Sequence, residues 1–371
     1  MAVSLVSTGV TFPDGSIQTT RASQVPAFTN RIINGAMVID QRNAGASVTP
    51  ADGAYTLDRW RAGLSQASKL SIQQNSGSVT PPSGFKNYLG VVSLSAYALT
   101  GSDVFMLQQK IEGYNVSDLM LGTASAATFT VSFWVRSSLT GLFGGSLINS
   151  ASDRAYPFSY TISTANTWEQ KSVTITGDTS GTWLTTNGSG LELRISLGGS
   201  GSYVGTANTW GTGNYVTPTG CVSVVGTNGA TFYITGVQLE VGTVATSFDY
   251  RSYGTELALC MRYFEAILLN SYSATGQAYS TSGGEVPIYF TVKKRADPTI
   301  TLPTTGSAGG QIAFTTASAN IPATIGANTT AAISTNKFNI QGSGYTAAFT
   351  AGNALFVYSS GNSTVQVSAE L

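Results

Sequence analysis

Apolar residues recur at every second position in run after run of this chain, and that period restricts its fold more than any other feature. A period of two puts one face of an extended strand against a core and the other toward solvent. Phe129, Val131, Phe133 and Val135 share one face of such a run, and Leu191, Leu193, Ile195 and Leu197 share another. Val173 and Ile175 alternate with serine and threonine, and Val365, Val367, Ala369 and Leu371 repeat the pattern. Clusters of Gly, Asn, Asp and Ser, as at 177–181 and 198–202, separate the runs. Such residues tolerate positive φ or bond their own backbone, and so turn the chain. Many short strands at this spacing predict an all-β chain built as a sandwich or barrel.

One helix interrupts the pattern. Over Thr255–Ala266, the residues Leu257, Cys260, Met261 and Phe264 recur at helical spacing. Glu256 in its first turn and Arg262 late in it match the helix dipole. A second, shorter helical turn is predicted at Val116–Leu121.

Composition shifts along the chain. Trp60, Trp134, Trp168, Trp183 and Trp210 all precede residue 211, and the last third is rich in Thr, Ala and Gly with tyrosines. This places a boundary near Arg251. Residues 1–30 carry Gly9, Pro13, Gly15 and Pro26 without a strong core pattern, as expected of an attachment arm that orders against partners. The expected organisation is an arm over 1–30, a larger sandwich over 31–250 and a smaller C-terminal β-sandwich over 251–371, with the helix at the seam.

Composition also removes function classes. Charged residues make up 10% of the 371 residues and the formal net charge is zero, against a usual charged share of roughly a quarter. A nucleic-acid binder needs a basic stripe, and a polybasic anchor needs a basic cluster; neither partner is expected. No apolar run is long enough to span a bilayer, so no membrane insertion is expected. Met1–Val10 lacks a basic n-region and a continuous apolar stretch, and no secretory signal is expected. Cys221 and Cys260 are too few for a disulfide scaffold and read as small hydrophobes of a protein made in a reducing cytosol.

The chain has no histidine. That excludes Ser-His-Asp and Cys-His nucleophile chemistry and the common imidazole metal sites. Only carboxylate-based hydrolysis passes this filter, with Glu240, Asp249 and Glu256 as candidates, since glycoside hydrolysis needs two placed acids. Glu240 and Asp249 belong to the seam, where ion pairing or helix capping accounts for them better. The short coil repeats of a β-helical depolymerase are also absent from the sequence. No catalytic residue, cofactor or metal is expected. A neutral surface rich in hydroxyls and amides suits packing in an assembly, or contact with neutral carbohydrate.

Several segments carry a resemblance. Gly9-Val-Thr-Phe-Pro-Asp-Gly-Ser-Ile-Gln-Thr-Thr20 resembles an element near the start of many phage fibres. Asn34-Gly35 with Tyr55-Thr-Leu-Asp-Arg-Trp60 resembles the opening of a carbohydrate-binding-like jelly roll. Phe133-Trp-Val-Arg-Ser-Ser138 and Asn166-Thr-Trp-Glu-Gln-Lys171 resemble its middle strands. Ile234-Thr-Gly-Val-Gln-Leu-Glu-Val-Gly242, Ala245-Thr-Ser-Phe248 and Tyr253–Phe264 resemble the seam to a C-terminal domain, and Val286–Pro298 the strand and turn that follow. Together they are similar to tail-fibre, receptor-binding and minor structural proteins of tailed bacteriophages. The resemblance implies a jelly roll over 31–250 and a homotrimeric virion component. Its arm would contact other virion proteins, and its target would be host surface polysaccharide or lipopolysaccharide. A head fibre, decoration or connector protein with a purely architectural role is the alternative. Related jelly rolls often bind calcium near their first and last strands. Here Asn34-Gly-Ala-Met-Val38 and Tyr233-Ile-Thr-Gly-Val-Gln-Leu239 supply no acid there.

Candidate glycan contacts are aromatic residues in polar loops, whose faces pack on sugar rings while their tips hydrogen-bond. Trp183, Tyr203, Trp210 and Tyr215 lie among Gly and Asn; Tyr272, Tyr279 and Tyr345 lie in Ser/Gly/Thr-rich C-terminal loops. The same rings would equally fill a core or a subunit axis. Asp58-Arg59-Trp60 reads as an Arg–Asp pair beside a buried indole, and Lys293-Lys294-Arg295 as a solvated turn before Pro298.

Overall fold

The computed structural model describes residues 29–269, 274–303, 312–315, 327–343, 349–358 and 363–371, and the backbone of three short strands before them. Those strands, Ser4–Val6, Gly9–Thr11 and Ile17–Gln18, pair as a small antiparallel meander.

The rest is β-sandwich. A six-stranded antiparallel sheet runs in the order Ala155–Ile162, Gly141–Ile148, Ser189–Gly199, Val104–Glu112, Trp60–Leu64, Tyr55–Leu57. A five-stranded sheet packs against it in the order Glu169–Ile175, Phe129–Ser137, Thr231–Val241, Leu89–Ser93, Leu70–Gln74. The stripe Leu191, Leu193, Ile195, Leu197 of the first and the stripe Phe129, Val131, Phe133, Val135 of the second are fully buried in one apolar cluster between them. Each such side chain contributes roughly 1.5–3 kcal/mol on burial. The strand Thr231–Val241 carries a bulge between Thr235 and Gln238. Gly236 sits there at φ +60°, and a Cβ on it would stand 2.6 Å from the Phe85 ring, so only glycine fits.

A second apolar cluster, including Val286, Ile288, Phe338, Ile340, Leu355, Val365 and Val367, lies between two further sheets. One orders Ala313–Thr315, Ala354–Tyr358, Ala274–Ala278, Gly284–Tyr289, Lys337–Ser343, Ala327–Ala331; the other orders Phe264–Leu269, Ser363–Ser368, Thr299–Thr301. The chain is all-β, as its period-two stripes require.

The helix spans Tyr253–Met261, with Ser252 Oγ accepting from the Thr255 N–H at 3.4 Å as its N-cap. It ends before Phe264, which opens the strand Phe264–Leu269. Pairing of that strand with Ser363–Ser368 takes up its backbone groups, and a short apolar run fits either period. The predicted turn at Val116–Leu121 is a 3₁₀ turn over Ser117–Leu119, following another at Gly113–Asn115. Among the described residues, no helix is long and apolar enough to cross a membrane.

Two charged motifs depart from the sequence reading. Trp60 is buried, with Nε1 donating to the Asn34 carbonyl at 3.1 Å, but Arg59 does not pair with Asp58. Arg59 lies in the left-handed region at φ +70°, so the two side chains diverge. Asp58 accepts from Gln41 N and Nε2, both at 2.7 Å, while Arg59 pairs with Glu370. The Lys293–Arg295 run is not a solvated turn. Lys294 is buried, its Nζ donating to Glu265 Oε2 at 2.5 Å and to the Met261 carbonyl at 2.6 Å. Arg295 donates to the carbonyls of Asn187, Ala369 and Glu370. Only Lys293 faces solvent, because the run packs under the helix end, where carbonyls need donors.

Candidate functional site

The outer face of the first six-stranded sheet is polar where its inner face is apolar. Register places Arg61 opposite Gln108, Gln108 opposite Arg194, and Arg194 opposite Ser146. One polar row therefore crosses four strands. Lys110 and Glu192 pair on one side of it, and Gly63, Met106 and Ser196 line up on the other. This face floors a cleft of about 370 Å³, walled by Asp52, Ser150, Ser152, Ser189, Tyr203 and Asn214.

Hydrogen bonds fix the row. Arg61 Nε donates to the Gly53 carbonyl at 2.9 Å. The Gln108 amide, in the orientation that satisfies both neighbours, accepts from Arg61 Nη1 at 2.5 Å and donates to Glu192 Oε1 at 2.6 Å. Arg194 donates from Nε to Glu192 Oε1 and from Nη1 to Asn214 Oδ1, both at 2.6 Å. The floor is thus held rigid before any ligand arrives, which lowers the ordering cost of binding. Burial pulls the Lys110 ammonium below its ordinary pKa, opposed by the pull of Glu192.

Several residues that line the cleft have valences left over. Lys110 Nζ, Asn214 Nδ2 and the Ser150 and Ser152 hydroxyls make no hydrogen bond among the described residues. Ser189 Oγ, shielded from solvent, has no partner either. The charged lining groups nearly balance, with Arg61, Lys110 and Arg194 against Asp52 and Glu192. At one end Val104 and Met106 pack with Tyr203 and Val216, giving the polar floor an apolar shoulder. Fixed donors and acceptors beside a C–H-binding surface form the pattern of a site for a neutral polyhydroxylated ligand.

The aromatic candidates fall in different places. Tyr203 lines the cleft. Tyr215 backs it, its carbonyl accepting from Ser146 Oγ at 2.7 Å and its own hydroxyl donating to the Thr212 carbonyl. Trp183 is 9% exposed and meets Trp210 edge-to-face at 5.4 Å, while Trp210 leans on Tyr156 at 5.2 Å. Both indoles donate to nearby carbonyls, of Ser180 and Thr176, and pack on the sandwich core rather than in the cleft. Tyr279 is half exposed and donates to the Gly342 carbonyl at 3.0 Å, away from the cleft. Tyr272 and Tyr345 lie outside the described residues.

The seam acids are engaged by neighbours. Glu240 accepts from Gln238 and from Thr246 N and Oγ1. Glu256 accepts from the Asn34 N–H and from Arg251, and Asp249 from the Asn30 N–H at 3.2 Å. Among the described residues, no group of three or more His, Cys, Asp or Glu is placed to hold a metal ion.

The cleft residues Arg61, Gln108, Lys110, Glu192, Arg194 and Asn214 escape a reading of single segments. The signal for two of them was present: Glu192 and Arg194 alternate with Leu191, Leu193 and Ile195, and a charged complement to an apolar stripe marks the strand's other face.

No protein-family model matches the sequence, and no curated protein matches it. Solved structures are similar to it over part of its length. The enzymatically active domain of tailspike protein 4 from bacteriophage CBA120 is similar over 58% of this chain, at 11% identity and a TM-score of 0.33. This chain spans 22% of that one. The TmCBM61 module in complex with β-1,4-galactotriose is similar over 51% of this chain and 92% of its own, at 12% identity and a TM-score of 0.27. The family 11 carbohydrate-binding module of cellulase Lic26A-Cel5E of Clostridium thermocellum covers 55% of this chain and 100% of its own, at 12% identity and a TM-score of 0.27.

Proposed function

We propose that this chain is a glycan-binding component of a tailed-phage particle, and that the saccharide lies in the cleft across the outer face of the first six-stranded sheet. The observation that carries the reading is the fixed row Arg61–Gln108–Glu192–Arg194–Asn214, with open donors beside it at Lys110 and Asn214. Hydroxyl groups both donate and accept, so a neutral sugar can satisfy such a floor without the desolvation cost of an ion. Tyr203 and Met106 offer the apolar shoulder for a ring face.

In this reading the chain binds glycan and does not cleave it. Glu240 and Glu256 are each engaged by two neighbours and Asp249 by one, all at the seam. The virion role draws on the fibre-like segments around Ile234–Phe264, with a homotrimer that attaches through residues 1–30 and meets host polysaccharide or lipopolysaccharide. Three copies would turn weak single-site contacts into firm adhesion.

The test is binding of the full chain to an array of bacterial surface polysaccharides, with Asn214→Ala and Lys110→Ala as cleft variants. Glycan retention by the wild type, weakened about tenfold or more in the variants, supports the reading. An array on which no glycan is retained refutes it.

A further inference from the structure

Arg59 has the backbone of a turn and the surroundings of a core residue. It lies in the left-handed region at φ +70° and is 1% exposed. Few residues with a Cβ adopt that conformation, and those that do are held there by their surroundings. The strand Trp60–Leu64 pairs with Val104–Glu112 from Leu64 opposite Phe105 to Arg61 opposite Gln108. The next pair in that register would set Arg59 opposite Lys110. The ladder stops short of it, and the Arg59 side chain takes over, its Nη2 donating to the Lys110 carbonyl at 2.5 Å. Lys110 is therefore held on one side by its ladder to Glu192 and on the other by a guanidinium.

That guanidinium depends on a distant segment. Its Nη1 pairs with Glu370, in the residues that follow the strand Ser363–Ser368. Arg295 donates to the carbonyls of Ala369 and Glu370, at 2.9 and 3.0 Å, and Tyr55 Oη to that of Leu371 at 3.1 Å. The Ala369 N–H donates to the Tyr263 carbonyl at 2.7 Å. Three successive carbonyls met by side chains give the segment one seated position. With the segment seated, Arg59 has its carboxylate and its aim toward Lys110. With it unseated, a buried guanidinium loses that carboxylate and is no longer fixed.

We infer, on the cleft reading above, that Arg59 is a positioning residue of the glycan cleft, holding Lys110 in place for the ligand while Glu370 is seated against it. Arg59 does not line the cleft, whereas the Lys110 side chain does. Its effect on the ligand therefore passes through Lys110. The glycan site on the first sandwich is in this way regulated by residues 369–371. Coupling of this kind is reciprocal: a seated segment strengthens glycan binding, and bound glycan strengthens the seating by the same factor.

The experiment uses the full chain and the oligosaccharide best retained on an array of neutral hexose and N-acetylhexosamine sugars. Affinity is measured for wild type, Lys110→Ala, Arg59→Gln, Glu370→Gln, and Lys110→Ala combined with each of the last two, below every variant's thermal midpoint. Arg59→Gln and Glu370→Gln should each weaken binding about fivefold or more, and neither should weaken it further once Lys110 is alanine. Equal losses in both backgrounds would show general damage to the fold and overturn the positioning role. If the Arg59 and Glu370 variants fail to fold, the wild type decides. Saturating oligosaccharide should slow exchange of the Ala369 amide hydrogen about fivefold, and unchanged exchange overturns the coupling. Lys110→Ala weakened while Arg59→Gln and Glu370→Gln bind like wild type removes the coupling and leaves the cleft reading standing. Lys110→Ala binding as tightly as wild type removes both.

Discussion

Arg59 and Glu370, 311 positions apart in sequence, form a buried ion pair. The Arg59 guanidinium also lies over the Tyr263 ring at 3.6 Å and donates to the carbonyl of Lys110, a cleft residue, at 2.5 Å. Arg42 reaches the other oxygen of Glu370 at 2.7 Å, and Tyr55 Oη donates to the Leu371 carbonyl at 3.1 Å. The strand pair beneath the cleft is thereby tied to residues that follow the last strand. Removing one partner of a buried pair leaves its charge uncompensated. Glu370→Ala should lower unfolding stability by about 3–5 kcal/mol. Urea denaturation reads this, and a loss below about 1 kcal/mol would mean that water replaces the carboxylate at little cost.

Asp58 gives a pH signature. Burial pushes its carboxyl up to about 6, against the pull of Arg42 and of the Gln41 hydrogen bonds. The folded chain then holds a proton that the unfolded chain releases near its ordinary value of 3.8. Between about pH 4 and pH 6 the folded state binds more protons, so this group's contribution to stability falls as pH rises and is least above pH 6. Asp58→Asn should remove that slope. The stability difference between variant and wild type should move in the variant's favour by about 2–3 kcal/mol from pH 4 to pH 7. A difference that stays constant across this range would contradict the burial account.

Lys294 and Glu265 form a second buried pair at the end of the helix. Lys294→Met alone should cost about 3–5 kcal/mol, because Glu265 keeps its charge with only the Thr291 N–H hydrogen bond and no cation beside it. Adding Glu265→Leu should recover most of that loss. A double variant as weak as the single one would instead assign the cost to the lost bond from Lys294 to the Met261 carbonyl.

The assembly expectation is a homotrimer. Val244, Tyr250, Tyr253 and Leu268 are each more than half exposed on a chain poor in charge, and packed copies would cover such surface. Light scattering at micromolar concentration should give three times the chain mass. A monomeric mass there would remove the trimer.

The sequence showed the inward faces far better than the outward ones. Phe129–Val135 and Leu191–Leu197 are read directly, because an apolar stripe is a local pattern. The cleft is not local. Arg61, Gln108 and Arg194 belong to three separate strands, and only register makes them neighbours. The aromatic signal misdirects for a related reason: Trp183 and Trp210 sit among glycines and asparagines in sequence, yet their rings pack on the core and only their indole N–H groups meet loop carbonyls. Lys294 looks solvated in its basic run because its carboxylate partner, Glu265, is 29 positions away.

The most direct test of the central claim is a calorimetric titration of the full chain with the best-retained array oligosaccharide, for wild type and Lys110→Ala, at low and high salt. A neutral ligand carries no charge for salt to screen and should bind with little dependence on salt. Affinity should fall about tenfold in the variant while its thermal midpoint stays unchanged. Equal affinity in the two proteins, or binding that collapses at high salt, would contradict a saccharide site in this cleft.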